Sequence, residues 1–260
     1  MPKVNLDFLP RSLTISQTAL VTLWVLLMVS FPIVDWTLGW QAMLSAVVLS
    51  LLTQFVAVVL ILWQAWGAAK TLGVGVAILV LSWTAEALGS HTGFPFEAYS
   101  YTDLLQPQIF NVPLLIPLGW LIMLPPAWGV AQAIANRKKT RWRFPVFVSL
   151  SALAMTAWDL LVDPLMVTWG MWVWDAPGIY FGIPWGNFLG WLLTAGLMTA
   201  IIRPRELPVA PLLLVYTITW LLMTAGLGIF WGMPGPALVG GLAMGVFSVF
   251  GWRAFLKTSE

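Results

Sequence analysis

Cysteine is absent from this sequence, and histidine occurs once, at His91. Without thiols the chain has no disulfides, no thiolate metal sites and no cysteine nucleophile. A single histidine cannot build the histidine-rich iron centres of membrane hydroxylases and desaturases, nor a facial triad with two histidine ligands. The glycine-rich phosphate motifs that join a strand to a helix are missing as well. We therefore expect neither a metal nor another cofactor.

Charged residues are also scarce: they make up 8% of the 260 residues, whereas hydrophobic residues make up 60%. Soluble domains carry roughly 25% charged and about 45–50% apolar residues. The composition therefore predicts a single polytopic membrane domain over residues 1–260. The basic pI of about 9.1 does not indicate nucleic-acid binding, because the basic residues fall on one face of the predicted bundle.

The apolar residues are grouped in long stretches. A transmembrane helix needs about 20 predominantly apolar residues, and we count eight such stretches. With eight spans, all twelve Lys and Arg residues fall on one side of the membrane, which the positive-inside rule assigns to the cytoplasm. The sequence thus predicts an all-α integral membrane protein with both termini inside, in the plasma membrane of a bacterium or an archaeon. The predicted spans are residues 13–34, 40–66, 72–89, 112–135, 144–167, 184–202, 209–230 and 236–256.

Two carboxyl groups lie inside these spans, Glu86 in the third and Asp159 in the fifth. Glu86, Asp159 and Asn187 are equally far along the chain from a basic residue at the cytoplasmic edge, at roughly 24 Å along a helix. All three are thus predicted at one level, near the outer boundary of the ~30 Å hydrocarbon core. Asp163 lies one turn beyond Asp159 on the same helix face. Ionisable groups at such depth are costly, so they are candidates for function.

A short repeat relates the fourth and sixth spans. VPLLIPLGW at residues 112–120 and IPWGNFLGW at residues 183–191 share a proline near the start and L-G-W at the end, with equal internal spacing. Each follows a span with an acid, and the offset between the two segments is nearly the offset between Glu86 and Asp159. Spans three–four and five–six are therefore interpreted as duplicated helix pairs whose acids face one cavity. A chance match between apolar segments is the alternative.

Many of the candidate functional residues lie in one stretch, EALGSHTGFPFEAYSYTD, residues 86–103. It starts in an apolar span, contains the only histidine and three of the ten acidic residues, and ends in an aromatic loop broken by glycine and proline. A second stretch, TAWDLLVDPLMV, carries Asp159 and Asp163. We expect the two stretches to meet on the outer side of the membrane.

Carboxyl groups in an apolar, aromatic pocket indicate acid-initiated chemistry. A buried carboxylic acid is favoured in its neutral form and can protonate an alkene. Aromatic faces stabilise the resulting carbocation through cation–π attraction, and a second carboxylate or His91 deprotonates an incoming water. The pattern predicts an enzyme that hydrates or cyclises a polyene without a cofactor. A carrier or proton-coupled transporter is the non-enzymatic alternative.

The candidate side chains form two groups. The candidate catalytic residues are Glu86, Asp159, Asp163 and His91. The candidate substrate-binding residues are Trp83, Glu97, Tyr99, Tyr101, Asp103, Trp158, Trp169, Trp174 and Asn187, with Trp172 as a further aromatic neighbour. Each has a structural alternative: the intramembrane acids pair with polar groups between helices, His91 and residues 97–103 belong to an ordinary outer loop, and the tryptophans pack or form interfacial belts. Asp35 and Asp175 are interpreted as loop residues.

The sequence resembles the membrane-bound carotenoid 1,2-hydratases, the CruF-type family. The resemblance is carried by EALGSHTGFPFEAYSYTD, WDLLVDP and WDAPGIYFGIPWGNFLGW. It covers most of the chain, from about span three to span six, and is weakest at both ends. The blocks H-T-G-x-P-F-x-x-Y-x-Y and W-D-x-x-x-D-P are its most specific parts. The family implies addition of water to the terminal C1–C2 double bond of an acyclic carotenoid end group, giving a tertiary 1-hydroxyl. It implies carotenoid, water and membrane lipid as partners, with other carotenoid-pathway enzymes as candidate partners.

Overall fold

Seven helices of the computed structural model, which describes residues 13–136 and 140–257, are long and apolar enough to cross a membrane. They fit a multi-pass membrane protein. In chain order they are α1 (Ile15–Leu38), α2 (Trp40–Thr92), α3 (Leu115–Ala135), α4 (Thr140–Thr168), α5 (Trp185–Ile202), α6 (Val209–Ala225) and α7 (Pro234–Leu256). Helix α6 continues into a π-helical turn, Gly226–Phe230.

Helix α2 has 53 residues, which at about 1.5 Å per residue is more than twice the ~30 Å hydrocarbon core. Its helical conformation is interrupted at Gly67, where φ is 75° and ψ is 174°. Residues other than glycine rarely adopt that φ, so Gly67 divides α2 into two helical segments. The division falls between the second and third predicted spans. The count of eight spans and the orientation of the termini stay predictions.

The bend in α2 meets the connection between α5 and α6. Lys70 Nζ contacts Glu206 Oε2 and Arg205 O, both at 2.9 Å, and Trp66 Nε1 donates to Glu206 O at 2.8 Å. Lys70 lowers the pKa of the exposed Glu206 carboxyl by hydrogen bonding and charge. Such an exposed ion pair adds little stability. The contact does show, however, that the bend in α2 and the connection between α5 and α6 lie at the same end of the bundle.

Helix α3 lies at the centre of the bundle, in contact with α2, α4, α6 and α7. Glycines permit the closest approaches around it. A Cβ on Gly129 would lie 2.6 Å from Leu212 Cβ of α6, and one on Gly240 of α7 would lie 2.6 Å from Leu161 Cγ of α4. These separations are too short for carbon atoms in van der Waals contact. The helices can therefore pack this closely only because glycine has no Cβ at these positions.

Two segments predicted as loops form a small antiparallel sheet. Strand β1 (Tyr99–Tyr101), after α2, pairs with β4 (Trp172–Trp174), after α4. Tyr99 faces Trp174 and Tyr101 faces Trp172 across the pair. Between these elements, β2 (Gln108–Ile109) and β3 (Val112–Pro113) form a short hairpin. The alternation Tyr-Ser-Tyr and Trp-Val-Trp directs the aromatic side chains to one face of the sheet.

The sheet has a local two-fold arrangement. Along the chain, Tyr99 is as far from Trp172, and Tyr101 as far from Trp174, as Glu86 is from Asp159. The antiparallel register is centred on the pair Ser100–Val173. Trp120 and Trp191, which end the two repeated segments, stack with ring centroids 4.3 Å apart and planes 12° apart. This geometry supports the hypothesis of duplicated helix pairs.

The loop that precedes β1 packs on the first turns of α5. A Cβ at Gly190 would lie 2.5 Å from Pro95 O and 2.7 Å from the Phe96 ring. One turn earlier, a Cβ at Gly186 would collide with the Glu97 side chain. The loop before β1 is therefore fixed against the helix that also carries Asn187.

We expect Gly190→Ala to destabilise the protein by about 1–3 kcal/mol, because its Cβ would overpack against Pro95 and Phe96. The matched control in the same helix is Gly196→Ala, whose Cβ would lie 3.7 Å from Ala152 Cβ in ordinary contact. That change should be neutral or stabilising by up to about 1 kcal/mol, since alanine favours helix over glycine. Thermal unfolding in detergent measures both. A Gly190→Ala protein as stable as the Gly196→Ala protein would contradict this packing.

Candidate functional site

A cavity of about 430 Å³ lies between helices α1 to α6 and the sheet formed by β1 and β4. Its volume and its largely apolar, aromatic lining are typical of a pocket for a small organic ligand. At one end the lining includes the polar side chains of Glu86, Tyr99, Tyr101, Asp163 and Asn187. Glu86 and Asp163 come from the two stretches that we expected to meet, and they share this cavity.

Glu86 is surrounded by three neutral donors. Its Oε2 accepts hydrogen bonds from Tyr99 Oη at 2.5 Å and Tyr101 Oη at 2.7 Å, and its Oε1 accepts one from Trp120 Nε1 at 2.9 Å. Burial raises the pKa of both tyrosines well above its ordinary value, and the adjacent Glu86 charge raises it further. Both phenols therefore stay protonated at physiological pH, as donors.

Asn187 of α5 joins the two aspartates of α4. Its Nδ2 donates to Asp159 Oδ2 at 2.9 Å and also to Asp163 Oδ2. Trp172 Nε1 of β4 donates to Asp163 Oδ1 at 2.9 Å. Asp163 lines the cavity, whereas Asp159 is buried behind it. Among the described residues, Asp159 Oδ1 has no hydrogen-bond partner.

The acids are balanced by neutral groups alone. Within residues 13–136 and 140–257, no Lys, Arg or His side chain lines the cavity. A buried carboxylate with no counter-ion is costly unless hydrogen bonds compensate it. The phenol, indole and amide donors supply that compensation, and they leave the acids free of a permanent positive partner.

Aromatic rings line the cavity next to the acids. Trp191 stacks on Trp120 and lies edge-to-face against Trp158, with ring centroids 5.8 Å apart. Tyr99 lies 5.1 Å from Trp174, centroid to centroid. Ring faces attract a cation placed within about 6 Å of the centroid. The cavity therefore combines carboxyl groups with surfaces that stabilise a carbocation.

The predicted site residues divide into those at the cavity and those away from it. At the cavity, Asp159 is not part of the lining but is hydrogen-bonded to a lining residue, Asn187. The other predicted residues at the cavity line it directly; they are Glu86, Asp163, Tyr99, Tyr101, Trp158, Trp169, Trp172, Trp174 and Asn187.

Four predicted residues lie away from the cavity. His91 is exposed, and its Nδ1 contacts Ala87 O at 2.8 Å. Trp83 Nε1 donates to Ile109 O at 3.3 Å, outside the cavity lining. Glu97 packs at Gly186 in a separate shallow depression, and Asp103 is exposed. The geometry gives these four no contact with the acids.

Trp120 and Trp191 line the cavity next to the acids but were not assigned from the sequence. Both stand at the end of a repeated L-G-W segment. The repeat itself was the available signal, because a duplicated pair that faces one cavity places its equivalent positions close together. The polar pair in the deeper part of the cavity, Gln54 and Thr219, was also missed; Gln54 Nε2 lies 3.5 Å from Thr219 Oγ1.

The fold and the site define a multi-pass membrane protein with a carboxyl-lined, aromatic cavity. The model of the family described as "Carotenoid biosynthesis protein" matches residues 45–247. The chain belongs to this family.

A curated relative from Haloarcula japonica carries the name bisanhydrobacterioruberin hydratase. It is 24% identical to this chain over 165 residues, which cover 60% of this chain and 55% of the relative. The chain thus spans about half the length of that relative. No solved structure matches the chain.

We expect Trp172→Phe to destabilise the protein by about 1–3 kcal/mol more than Trp174→Phe, because only the first change leaves a buried acceptor without its donor. Both tryptophans lie in β4, line the cavity and are at most 9% exposed, so the loss of ring size is matched. Among the described residues, the buried Trp174 Nε1 has no partner to lose.

Thermal unfolding in detergent again provides the measurement. Equal stabilities of the two variants would mean that the hydrogen bond from Trp172 to Asp163 contributes nothing to holding the site.

Proposed function

We propose that this protein is a carotenoid hydratase that adds water to the terminal C1–C2 double bond of an acyclic carotenoid end group. The observation that carries the proposal is that Glu86 and Asp163 line the same aromatic cavity, and that no cationic side chain among the described residues lines it with them. The hydratase name of the archaeal relative supports the same reaction class. The reaction needs an acid, a base and a pocket that tolerates a carbocation, and the cavity offers all three.

Asp163 is the proposed proton donor. It faces the cavity, and it shares the Asn187 amide with Asp159. Two carboxyl groups at one site do not ionise independently, so such a pair is suited to retain one proton. Asp159 contributes by holding the pair together, through Asn187, from behind the cavity wall. The sequence alone did not distinguish the donor, and the position of Asp163 at the cavity is what favours it over Asp159.

Glu86 is the proposed base. Three hydrogen bonds from neutral donors stabilise a carboxylate at this position, and the carboxylate is close to the end of the cavity formed by the outer loops. His91 was the alternative base, but its exposed position outside the cavity favours Glu86.

The proposed reaction proceeds in two steps. The C1–C2 π electrons take the proton of Asp163 to form a C2–H bond, which leaves a tertiary cation at C1. The faces of Trp120, Trp158 and Trp191 stabilise this cation. A water oxygen then bonds to C1 and loses one proton to Glu86, giving the tertiary alcohol. Return of that proton to the aspartate pair restores the site, so the net change is the addition of one water.

Two other outcomes are distinguishable by product. A cyclase would quench the same cation with an internal double bond and yield an isomer of the substrate, an outcome that the apolar part of the cavity favours. A carrier or proton-coupled transporter would leave the pigment unchanged. Expression in a host that makes lycopene or γ-carotene, followed by mass analysis of the extracted pigments, separates the three.

In such a host we expect Glu86→Gln and Asp163→Asn to lower hydrated product by about 10²–10⁴-fold, the usual contribution of a general acid or base. Both changes preserve size but remove the carboxyl proton chemistry. Asp159→Asn should also lose most activity, because it removes one of the two carboxyl groups that share the Asn187 amide. The matched controls are Asp35→Asn and Asp175→Asn, which change acids outside the cavity lining and should stay near wild type.

The comparison is made at equal amounts of folded protein in the membrane. Near wild-type hydration by both Glu86→Gln and Asp163→Asn would refute these roles, and a wild-type product isomeric with the substrate would replace hydration by cyclisation.

A further inference from the structure

The cavity extends far from the acids and reaches the side of the helix bundle. Its lining includes the outer half of α1, from Met28 to Pro32, and the facing π-helical turn from Gly226 to Phe230. Val29 and Phe230 line the cavity, yet they are 51% and 43% exposed. A residue that both lines a cavity and faces outward marks the rim of an opening. The opening therefore lies between α1 and the π-helical turn, in the part of the bundle that faces lipid.

Helix α1 is fixed through its inner half. Val21 and Trp24 pack with residues of α2 and α6 in a cluster separate from the main core. Gln17 Nε2 also donates to Gln64 Oε1 of α2 at 2.8 Å. In the outer half, Trp36 touches Phe230 edge-to-face, with centroids 5.9 Å apart, across the mouth of the opening. The inner half of α1 thus packs directly on α2 and α6. The cavity lies between the outer half of α1 and α6.

Both walls of the opening have irregular backbone. Pro32 lies inside α1 and removes one helical hydrogen bond. The opposite wall is a π-helical turn, a rare geometry that is frequent at functional sites. Pro32 and residues of the π-helical turn both line this part of the cavity.

The cavity also continues toward the middle of the bundle. Gln54, in its lining, lies about four turns into α2 from Trp40, or roughly 21 Å along the helix axis. Beyond the acids, the lining is mostly apolar, so it offers a hydrocarbon chain a path with little polar surface to desolvate.

We propose that the polyene chain of the substrate lies in this opening between α1 and the π-helical turn, with its end group at the acids and the remainder in the lipid. The proposal rests on the proposed function. A carotenoid is a long, stiff hydrocarbon, and a cavity of about 430 Å³ suits one end of it. The lateral opening lets the enzyme act on the end group while the rest of the polyene chain stays in the lipid.

Val29→Trp tests the proposal by filling the rim of the opening. We expect it to lower hydrated product by at least about tenfold, because a displaced end group loses its alignment with the acids. The matched control is Leu26→Trp, which adds the same ring to an exposed position of α1 outside the cavity lining and should stay within about twofold of wild type, as surface changes usually do.

A second readout does not depend on catalysis. A photoreactive benzophenone side chain at position 29, but not at position 26, should form an adduct with the carotenoid in the producing host. The proposal is overturned if wild type hydrates its substrate while Val29→Trp matches Leu26→Trp, or if position 29 gives no more adduct than position 26. If wild type makes no hydrated pigment, the proposed function fails, and the adduct at position 29 still decides whether a polyene occupies the opening.

Discussion

The structure depends on how buried carboxyl groups are compensated without positive charge. Glu86 is held by two phenols and an indole, and Asp163 by an amide and an indole. A Lys or Arg partner would fix each acid as a permanent ion pair and oppose a carbocation nearby. Neutral donors avoid both effects, because they stabilise a carboxylate and add no net charge to the cavity. In the proposed mechanism, this arrangement lets the same acids give and take a proton.

That compensation imposes the pairing of the two segments that carry β1 and β4. Tyr99 and Tyr101 of β1 and Trp172 of β4 donate to acids on α2 and α4, so the strands must stand directly over the helix ends. The antiparallel register places the donors of both acids on one face. Gly186 and Gly190 then allow the preceding loop to lie close against α5, the helix that carries Asn187. The donors, the strands and the glycines are thus parts of one arrangement.

Much of the site was predictable because depth and periodicity are local properties. The separation of Glu86, Asp159 and Asn187 from basic residues predicted one level for all three, and Asp159 and Asn187 are indeed hydrogen-bonded. The division at Gly67 falls where two predicted spans are separated. The strands were not predictable in the same way. Each is short and forms only with a partner that is distant along the chain, which no local pattern specifies.

The predicted roles of His91 and Trp83 illustrate the same limit. Both are close in sequence to Glu86. A helix nevertheless directs successive side chains to different faces, and these two point away from the cavity. Trp120 is distant in sequence but donates directly to Glu86. The repeated L-G-W segments mark Trp120 and Trp191 as corresponding positions, and these two rings stack, but the repeat does not predict the hydrogen bond from Trp120 to Glu86.

The central claim is that a carboxyl proton starts the reaction and water completes it. Incubation of the purified protein with an acyclic carotenoid in water labelled with deuterium and heavy oxygen tests this most directly. We predict a product with one deuterium at C2 and one labelled oxygen at C1. Oxygen taken from O₂, or a hydroxylated product with no deuterium at C2, would contradict it.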